Sequence, residues 1–584
     1  MCGIFTFINN AEYITKNIEY IEKQFNRGSK RGPENSILKK IDKNILLGFH
    51  RLAINGLNNI SNQPIQIDNI TLICNGEVFN YKQIHTLLNI APKTDSDCEC
   101  IIHLYLKYGI EYTLRMLDGV YAFVLLDNNK KKIYIARDLY GVRPLYCLKQ
   151  YSKITSQSSY LYASEIKSIS NIQSAFNKKF QSLFNFNKKI YNITSFTPGT
   201  YSEMIIKNGE WNINIENKYY MYMPFTSTLQ PYDPLPTILL NIRKFLCKAV
   251  HKRVYSCERK IAALLSGGLD SSLIAALVNR QLYYHSKTKL ETYAIGLPES
   301  EDLKYAKMVA DYIGSNHHEI IVSEDDFFNA IPEVIYAIES YDTTTVRASV
   351  GNYLIAKYIK ENSESKVIFG GDGADELMGG YLYFHKAPSS IEFDNECKHL
   401  INDISYYDVL RCDKTVASNG LEARCPFLDR ELVQYYLSLD MGLRCHNIDK
   451  NCEKYLLRKA FDYEFDMYEG DHVEKKLLIP KEILYRQKEA FSDGVSKHSR
   501  SWYNIIQEKV ENITDEEFMK KYKLKNMPTS DRRHNPPTTK EQIYYRNLFD
   551  MYFENCERVI PYFWMPKYCD AKDASARSLD IYNI

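Results

Sequence analysis

Ser266-Gly267-Gly268-Leu269-Asp270-Ser271-Ser272 lies between two apolar runs, Ile261–Leu265 and Leu273–Val278. Apolar strand, glycine turn with hydroxyls, then helix is the arrangement that cradles a phosphate. The glycines let the backbone approach an oxyanion, and the new helix offers unpaired N–H groups and its positive dipole end. Ser266, Ser271 and Ser272 add hydroxyl donors, and Asp270 can hold Mg²⁺ against the same phosphates. The spacing is not that of G-x-x-x-x-G-K-[ST], which excludes the ordinary kinase or GTPase loop. A second reactive group stands in Met1-Cys2-Gly3-Ile4. Removal of Met1 would leave Cys2 with a free α-amine of pKa about 7.7–8.0 beside a thiol near 8.5. One residue then supplies nucleophile and general base. Each feature alone has a plain alternative, a tight turn in one case and an accidental cysteine in the other.

The company of Cys2 decides between them. Arg31-Gly32-Pro33-Glu34, His50-Arg51-Leu52-Ala53-Ile54, Asn75-Gly76-Glu77, Asp97, Ala136-Arg137-Asp138-Leu139-Tyr140-Gly141-Val142-Arg143-Pro144 and Ala163-Ser164-Glu165-Ile166-Lys167 follow in order. Over roughly two hundred residues the chain resembles the class II glutamine amidotransferases, an N-terminal-nucleophile fold. The resemblance implies that Cys2 attacks the glutamine carboxamide and that Asn75 and the Gly76 N–H stabilise the oxyanion, each such donor being worth ~10²–10³ in rate. Arg51 would fork onto the glutamine α-carboxylate, Glu77 and Asp97 would accept from its α-ammonium, and Leu52, Ala53, Ile54 and Asn55 would line the site. Without the resemblance, the lesser alternative for Asp97 is an N-cap carboxylate of a following helix. Arg31 reads as architectural.

Downstream, Thr292–Leu297 reads as a buried strand ending in glycine, where an adenine could rest. Leu265 and Ile295 are the nucleotide neighbours there, with core packing an equal alternative. Lys366–Glu376 forms a third strand-to-loop unit containing Gly370, Gly371, Asp372 and Asp375. Magnesium takes oxygen ligands and keeps waters, so Asp270, Asp375 and phosphates would suffice. Arg347 and Lys454 are the cations expected to neutralise departing pyrophosphate.

The phosphate loop resembles that of the ATP pyrophosphatases. The segments Tyr341–Ser349, Gly379–Pro388, Glu422–Asp429, Arg486–Val495, Trp564–Lys567 and Asp573–Leu579 make the whole chain resemble the glutamine-dependent asparagine synthetases, closest to eukaryotic-type members. That implies ATP-driven formation of β-aspartyl-AMP, loss of pyrophosphate, and displacement of AMP by ammonia carried from the first site. It also implies Asp372, Asp408 and Arg411 around the aspartate and a homodimer, while the free amine that Cys2 needs, which a retained leader would block, is expected to mean a cytoplasmic setting. Without the resemblance, Asp408 and Arg411 read as an i,i+3 surface pair. The chain departs from the family pattern at Gly370 and Asp372, where Ser and Glu are usual, and at Lys30, Glu34 and Leu139. The first two bear on adenylate formation and aspartate positioning, and the other three read as minor.

These residues need two kinds of scaffold. Strand-like alternation in Gly119–Asp127 and Ile133–Arg137 fits a sheet-rich first domain. The fold class expected is an α+β N-terminal-nucleophile (αββα) glutaminase domain at 2–205, a linker at 206–235 and an α/β doubly wound ATP-pyrophosphatase domain at 236–584. The segment from about 168 to 191 has no clean period and is expected to loop outward. Formal charge is +2, from 74 Lys+Arg against 72 Asp+Glu, so nucleic acid is not an expected partner. No apolar run is long enough to span a bilayer. The fourteen cysteines form no C-x-x-C pairs and read as free thiols in a reducing compartment. Two other functions stay open on sequence alone. One is a ligase acting on another carboxylate, such as a β-lactam-synthetase-like enzyme. The other is an inactive scaffold that binds glutamine or nucleotide.

Overall fold

The computed structural model describes residues 1–584 apart from 153–156, 184–191, 222–232, 447–451, 470–471, 490–493, 498–499, 512–533, 570, 572, 574 and 576–584. The first half builds two antiparallel sheets. One contains β1 (Gly3–Ile8), β2 (Asn35–Asp42), β3 (Ile45–Arg51), β8 (Tyr146–Ser152), β9 (Gln157–Ala163) and β10 (Ile193–Ser195), in the order β10-β8-β9-β1-β3-β2. The other contains β4 (Ile65–Ile67), β5 (Ile70–Val78), β6 (Gly119–Asp127), β7 (Lys132–Arg137), β11 (Thr200–Lys207) and β12 (Glu210–Tyr219), in the order β12-β11-β7-β6-β5-β4.

Side-chain alternation along β1 explains the layering. Ile4 and Ile8 turn toward the second sheet and pack with Phe49, Ile73, Val124 and Met204. Phe5 and Phe7 turn the other way, against Phe25 and Phe176. On the far side of the second sheet, Ile84, Ile101 and Leu104 from the helices Tyr81–Leu88 and Glu99–Tyr108 close the other outer layer. Helix, sheet, sheet, helix is the expected first-half architecture.

The second half is a parallel sheet of β13 (Ile261–Leu264), β14 (Glu291–Gly296), β15 (Asn316–Ile321), β16 (Val367–Phe369) and β17 (Glu422–Arg424), ordered β15-β14-β13-β16-β17. The order reverses between β13 and β16, which opens a crevice at their carboxyl ends. The loops after β13 and β16 carry the glycine-rich motifs into that crevice.

Two expectations need correcting. Residues 170–183 form a helix rather than an outward loop, because Ile172 and Phe176 recur at i,i+4 and find a buried apolar surface beside Phe7. The boundary at 205 cuts strand β11, whose hairpin with β12 keeps the first unit's sheet running to Tyr219. Of the expected linker, 222–232 lies outside the described residues, and the helix Leu235–Tyr255 already begins at its end.

Candidate active sites

Cys2 precedes β1, and its Sγ lies 3.5 Å from the Leu52 carbonyl oxygen. Asn75 is buried on β5 with neither side-chain polar atom hydrogen-bonded, an arrangement that costs energy unless a ligand completes it. Gly76 is required by the sheet itself. A Cβ there would stand 2.6 Å from the Val120 carbonyl oxygen of β6. Glu77 Oε2 accepts from Asn55 Nδ2 at 2.7 Å.

Asp97 does not cap the helix that follows. Its Oδ2 accepts the Val78 N–H at 2.7 Å, and burial raises its pKa to about 6. Arg51, expected to fork onto the glutamine α-carboxylate, is held by the loop that follows it. It donates to the Asn58 carbonyl at 2.9 Å, to Asn62 Oδ1 at 2.8 Å and to the carbonyls of Asn55 and Gly56. Leu52, whose carbonyl faces Cys2 Sγ, and the adjoining Ala53 and Ile54 are the segment expected to wall the site. Glu34, read from sequence as a minor departure, accepts the Ala53 N–H at 2.7 Å and pairs with Arg259 at 2.8 Å, tying that wall to the second domain.

Burial sets the state of both groups at the chain start. It pushes the Cys2 thiol up to about 11 and the Met1 amine down to about 5. The Met1 amine donates to the Leu421 carbonyl at 2.9 Å. With Met1 attached, the Cys2 nitrogen is an amide and cannot act as a base.

Buried paired charges adjoin this site. Arg31 donates to the Cys2 carbonyl at 2.9 Å, to Glu165 at 2.8 Å and to Asp413 at 2.7 Å. Arg424 spans Glu422 at 2.9 Å and Glu77 at 3.2 Å.

The crevice of the parallel sheet holds a cavity of about 190 Å³. Leu265, Ser266, Gly268, Asp270, Ser271, Ile295, Gly370, Gly371, Asp372, Asp375, Asp408, Arg411 and Lys454 line it. Gly267 sits behind the lining at φ +73°, where a Cβ would strike Tyr305 and Ala306, so the turn needs glycine. Ser272 is fully buried on the first turn of the helix Leu269–Ser286, with its hydroxyl unpaired. Ser266 and Ser271 hydroxyls meet at 3.0 Å.

Lys454 occupies the left-handed region at φ 55° and bridges Asp270 and Asp375 at 2.5 Å each. An ordinary residue kept in that conformation marks a position the surroundings over-determine. Lys488 joins it, 2.7 Å from Asp375. Burial opposes ionisation of Asp375, but Lys454 and Lys488 hold its pKa well below the usual carboxylate range. Asp270 Oδ1 is buried without a hydrogen-bond partner. Two carboxylates and one free buried oxygen are the donor set a hard cation takes, so these residues fit Mg²⁺. Arg411 donates to Asp372 at 3.0 Å and to Asp408 at 2.8 Å, which gathers the expected aspartate-binding residues.

Arg347 is a correction. Its guanidinium is buried away from the cavity lining, clamped by Glu541 at 2.6 Å and Asp573 at 2.7 Å. Sequence spacing placed it one residue from Ala348, which does line the cavity, but on the helix Thr343–Asn362 neighbouring positions face different directions. Lys488 is the residue that sequence reasoning missed. It sits in Arg486-Gln487-Lys488-Glu489, a polar quartet whose meeting with Asp375 no local pattern signals.

Comparison with known proteins places these sites among relatives. The Asparagine synthase family model matches residues 241–400 and 392–559, and the Glutamine amidotransferase domain model matches residues 1–220. The chain is 39% identical over 600 residues to "Asparagine synthetase [glutamine-hydrolyzing]" of Gallus gallus, covering 100% of this chain and 99% of that protein. The proteins of the same description from Homo sapiens and Mus musculus are 39% and 38% identical over 599 residues, with the same coverage.

Proposed function

The chain belongs to the glutamine-hydrolysing asparagine synthetase family, and from that membership we propose how its two sites divide the chemistry. It is an ATP-dependent carbon–nitrogen ligase that forms L-asparagine from L-aspartate with L-glutamine as nitrogen donor. In the first site, with Met1 removed, the Cys2 amine takes the thiol proton and the thiolate attacks the glutamine carboxamide. Asn75 Nδ2 and the Gly76 N–H receive the oxyanion, ammonia leaves, and water releases glutamate from the thioester. Asp97 and Glu77 take the α-ammonium and Arg51 the α-carboxylate.

In the second site, an aspartate β-carboxylate oxygen attacks the α-phosphorus of ATP and pyrophosphate departs. Ammonia then displaces AMP. Ser266, Gly268 and Ser271 hold phosphate oxygens on the turn that Gly267 permits, Leu265 and Ile295 face the nucleoside, and Lys454 with Lys488 opposes the leaving charge. Asp270 and Asp375 would hold Mg²⁺, which supplies charge neutralisation at the phosphates. Asp372, Asp408 and Arg411 orient the aspartate. Ammonia moves between the sites inside the protein, because at neutral pH in bulk water it is mostly protonated and no longer a nucleophile.

The observation that carries this reading is the convergence of Arg411, Asp372 and Asp408 beside the phosphate loop in one cavity. Although Asp372 has a shorter arm than the family's usual Glu, it still meets Arg411, which favours aspartate over another carboxylate. We place the first unit at 2–219 and assign the enzyme a homodimeric state and a cytoplasmic setting. Among the described residues no helix is long and apolar enough to cross a membrane.

The test is product analysis. ATP should yield AMP and pyrophosphate only with aspartate present. Cys2→Ala should abolish asparagine formation from glutamine and retain it from ammonium. A Cys2→Ala enzyme that still used glutamine would overturn the nucleophile assignment.

A further inference from the structure

Beneath the aspartate pocket lie two thiols that the synthetase chemistry does not use. Cys412 follows Arg411 on the helix Asp408–Ala417, and Cys425 follows β17. Both are buried, and their sulfurs are 3.4 Å apart. A carboxylate oxygen of Asp372 completes a triad whose ligand atoms all lie within 4.8 Å of one another. Among the described residues it is the one such cluster of three.

We propose that Cys412, Cys425 and Asp372 bind a thiophilic divalent cation of the zinc class, and that filling this site inhibits the enzyme. The binding part stands on the triad alone, whereas the inhibitory part rests on the aspartate-binding reading of Asp372 given above. Two thiolates at ~2.3 Å from a tetrahedral zinc stand about 3.8 Å apart, so the sulfurs need to part by only a few tenths of an ångström. Sulfur ligands select zinc over magnesium, which keeps this site chemically distinct from the all-oxygen pair Asp270 and Asp375. Asp372 lines the cavity, which gives a cation its entry path to the two buried thiols.

In the metal-free protein, the hydrogen bond with Cys425, burial and the charge of Asp372 keep the Cys412 thiol well above its usual pKa. A cation reverses that balance. M²⁺ and two thiols give a dithiolate complex and two protons. Ligation also withdraws Asp372 from Arg411, its present partner at 3.0 Å, and so disturbs the charge pattern that orients aspartate.

The experiment uses the full-length enzyme with ammonium as nitrogen donor, which makes Cys2 dispensable. Co²⁺ serves as the spectroscopic probe and Zn²⁺ as the inhibitor. The wild type should show a sulfur-to-cobalt charge-transfer band saturating at one ion per chain. The band should be lost in Cys412→Ala and in Cys425→Ala. Zn²⁺ should raise the apparent KM for aspartate in the wild type and leave it unchanged in both variants. Ammonium-supported turnover without Zn²⁺ verifies that the variants fold, with Cys412→Ser and Cys425→Ser replacing either alanine variant that does not. Absence of the band in the wild type, or its persistence in both variants, overturns the site. Cobalt binding with no change in aspartate KM keeps the site and overturns its inhibitory role.

Discussion

Asp372 Oδ2 stands 2.6 Å from the point that a Cβ on Gly370 would occupy. The two departures from the family's usual loop are therefore one structural event. A bare glycine at 370 leaves room for the carboxylate at 372, and from there Asp372 reaches Arg411. Gly370→Ser alone should displace Asp372 and lower kcat/KM for aspartate by ~10²-fold, since misplacement by about 1 Å has that cost. Gly370→Ser combined with Asp372→Glu should recover most of the loss. A double-mutant cycle on kcat/KM measures the coupling, and strictly additive effects would disprove the link.

Arg31 connects the carbonyl of Cys2 to Asp413, two residues beyond Arg411 on the same helix. Arg31→Met leaves Asp413 and Glu165 buried without this partner, and breaking such a pair typically costs ~3–5 kcal/mol. Denaturant unfolding should show that loss. Turnover with glutamine should fall further than turnover with ammonium, because only the former depends on Cys2. Equal loss with both donors would mean that Arg31 serves the fold alone.

Asp97 gives the glutamine site a pH signature. Burial raises its pKa from 3.8 to about 6, so the folded protein holds this proton more tightly than the unfolded chain. The stabilisation is complete below pH 3.8 and is lost as pH rises through about 6. Asp97→Asn removes that cost, and its stability relative to wild type should rise by ~3 kcal/mol across the interval. In the role proposed for Asp97, binding of the glutamine α-ammonium needs the ionised form. The kcat/KM for glutamine should therefore have an acid limb near pH 6 in the wild type. An identical limb in Asp97→Asn would show that another group is responsible.

Arg347 should behave as a clamp. Arg347→Leu, Glu541→Gln and Asp573→Asn each break the same buried cluster, and all three should lower thermal stability. If Arg347 instead served pyrophosphate directly, the two carboxylate variants would free it and leave pyrophosphate release intact or faster, while Arg347→Leu alone would abolish it. Pyrophosphate release measured beside melting temperature separates these outcomes.

Much of this protein was legible in its residues. Glycine turns between apolar runs announced β13 and the turn and helix that follow it, because only glycine meets the backbone geometry there. The run of motifs from Cys2 to Lys167 announced the two-sheet domain, and alternation in β6 and β7 matched its strands. Local sequence could not tell which charged group meets which. Arg347 and Ala348 are adjacent in the chain, yet only Ala348 lines the cavity, because a helix turns successive side chains about its axis. Lys488 reaches Asp375 across more than a hundred residues, and Arg424 reaches Glu77 across more than three hundred. Residue type and spacing determined which chemistry was available. The packing of two domains and the switch point of one parallel sheet decided which side chains carry it, because long-range charge pairing is fixed only when the chain closes on itself.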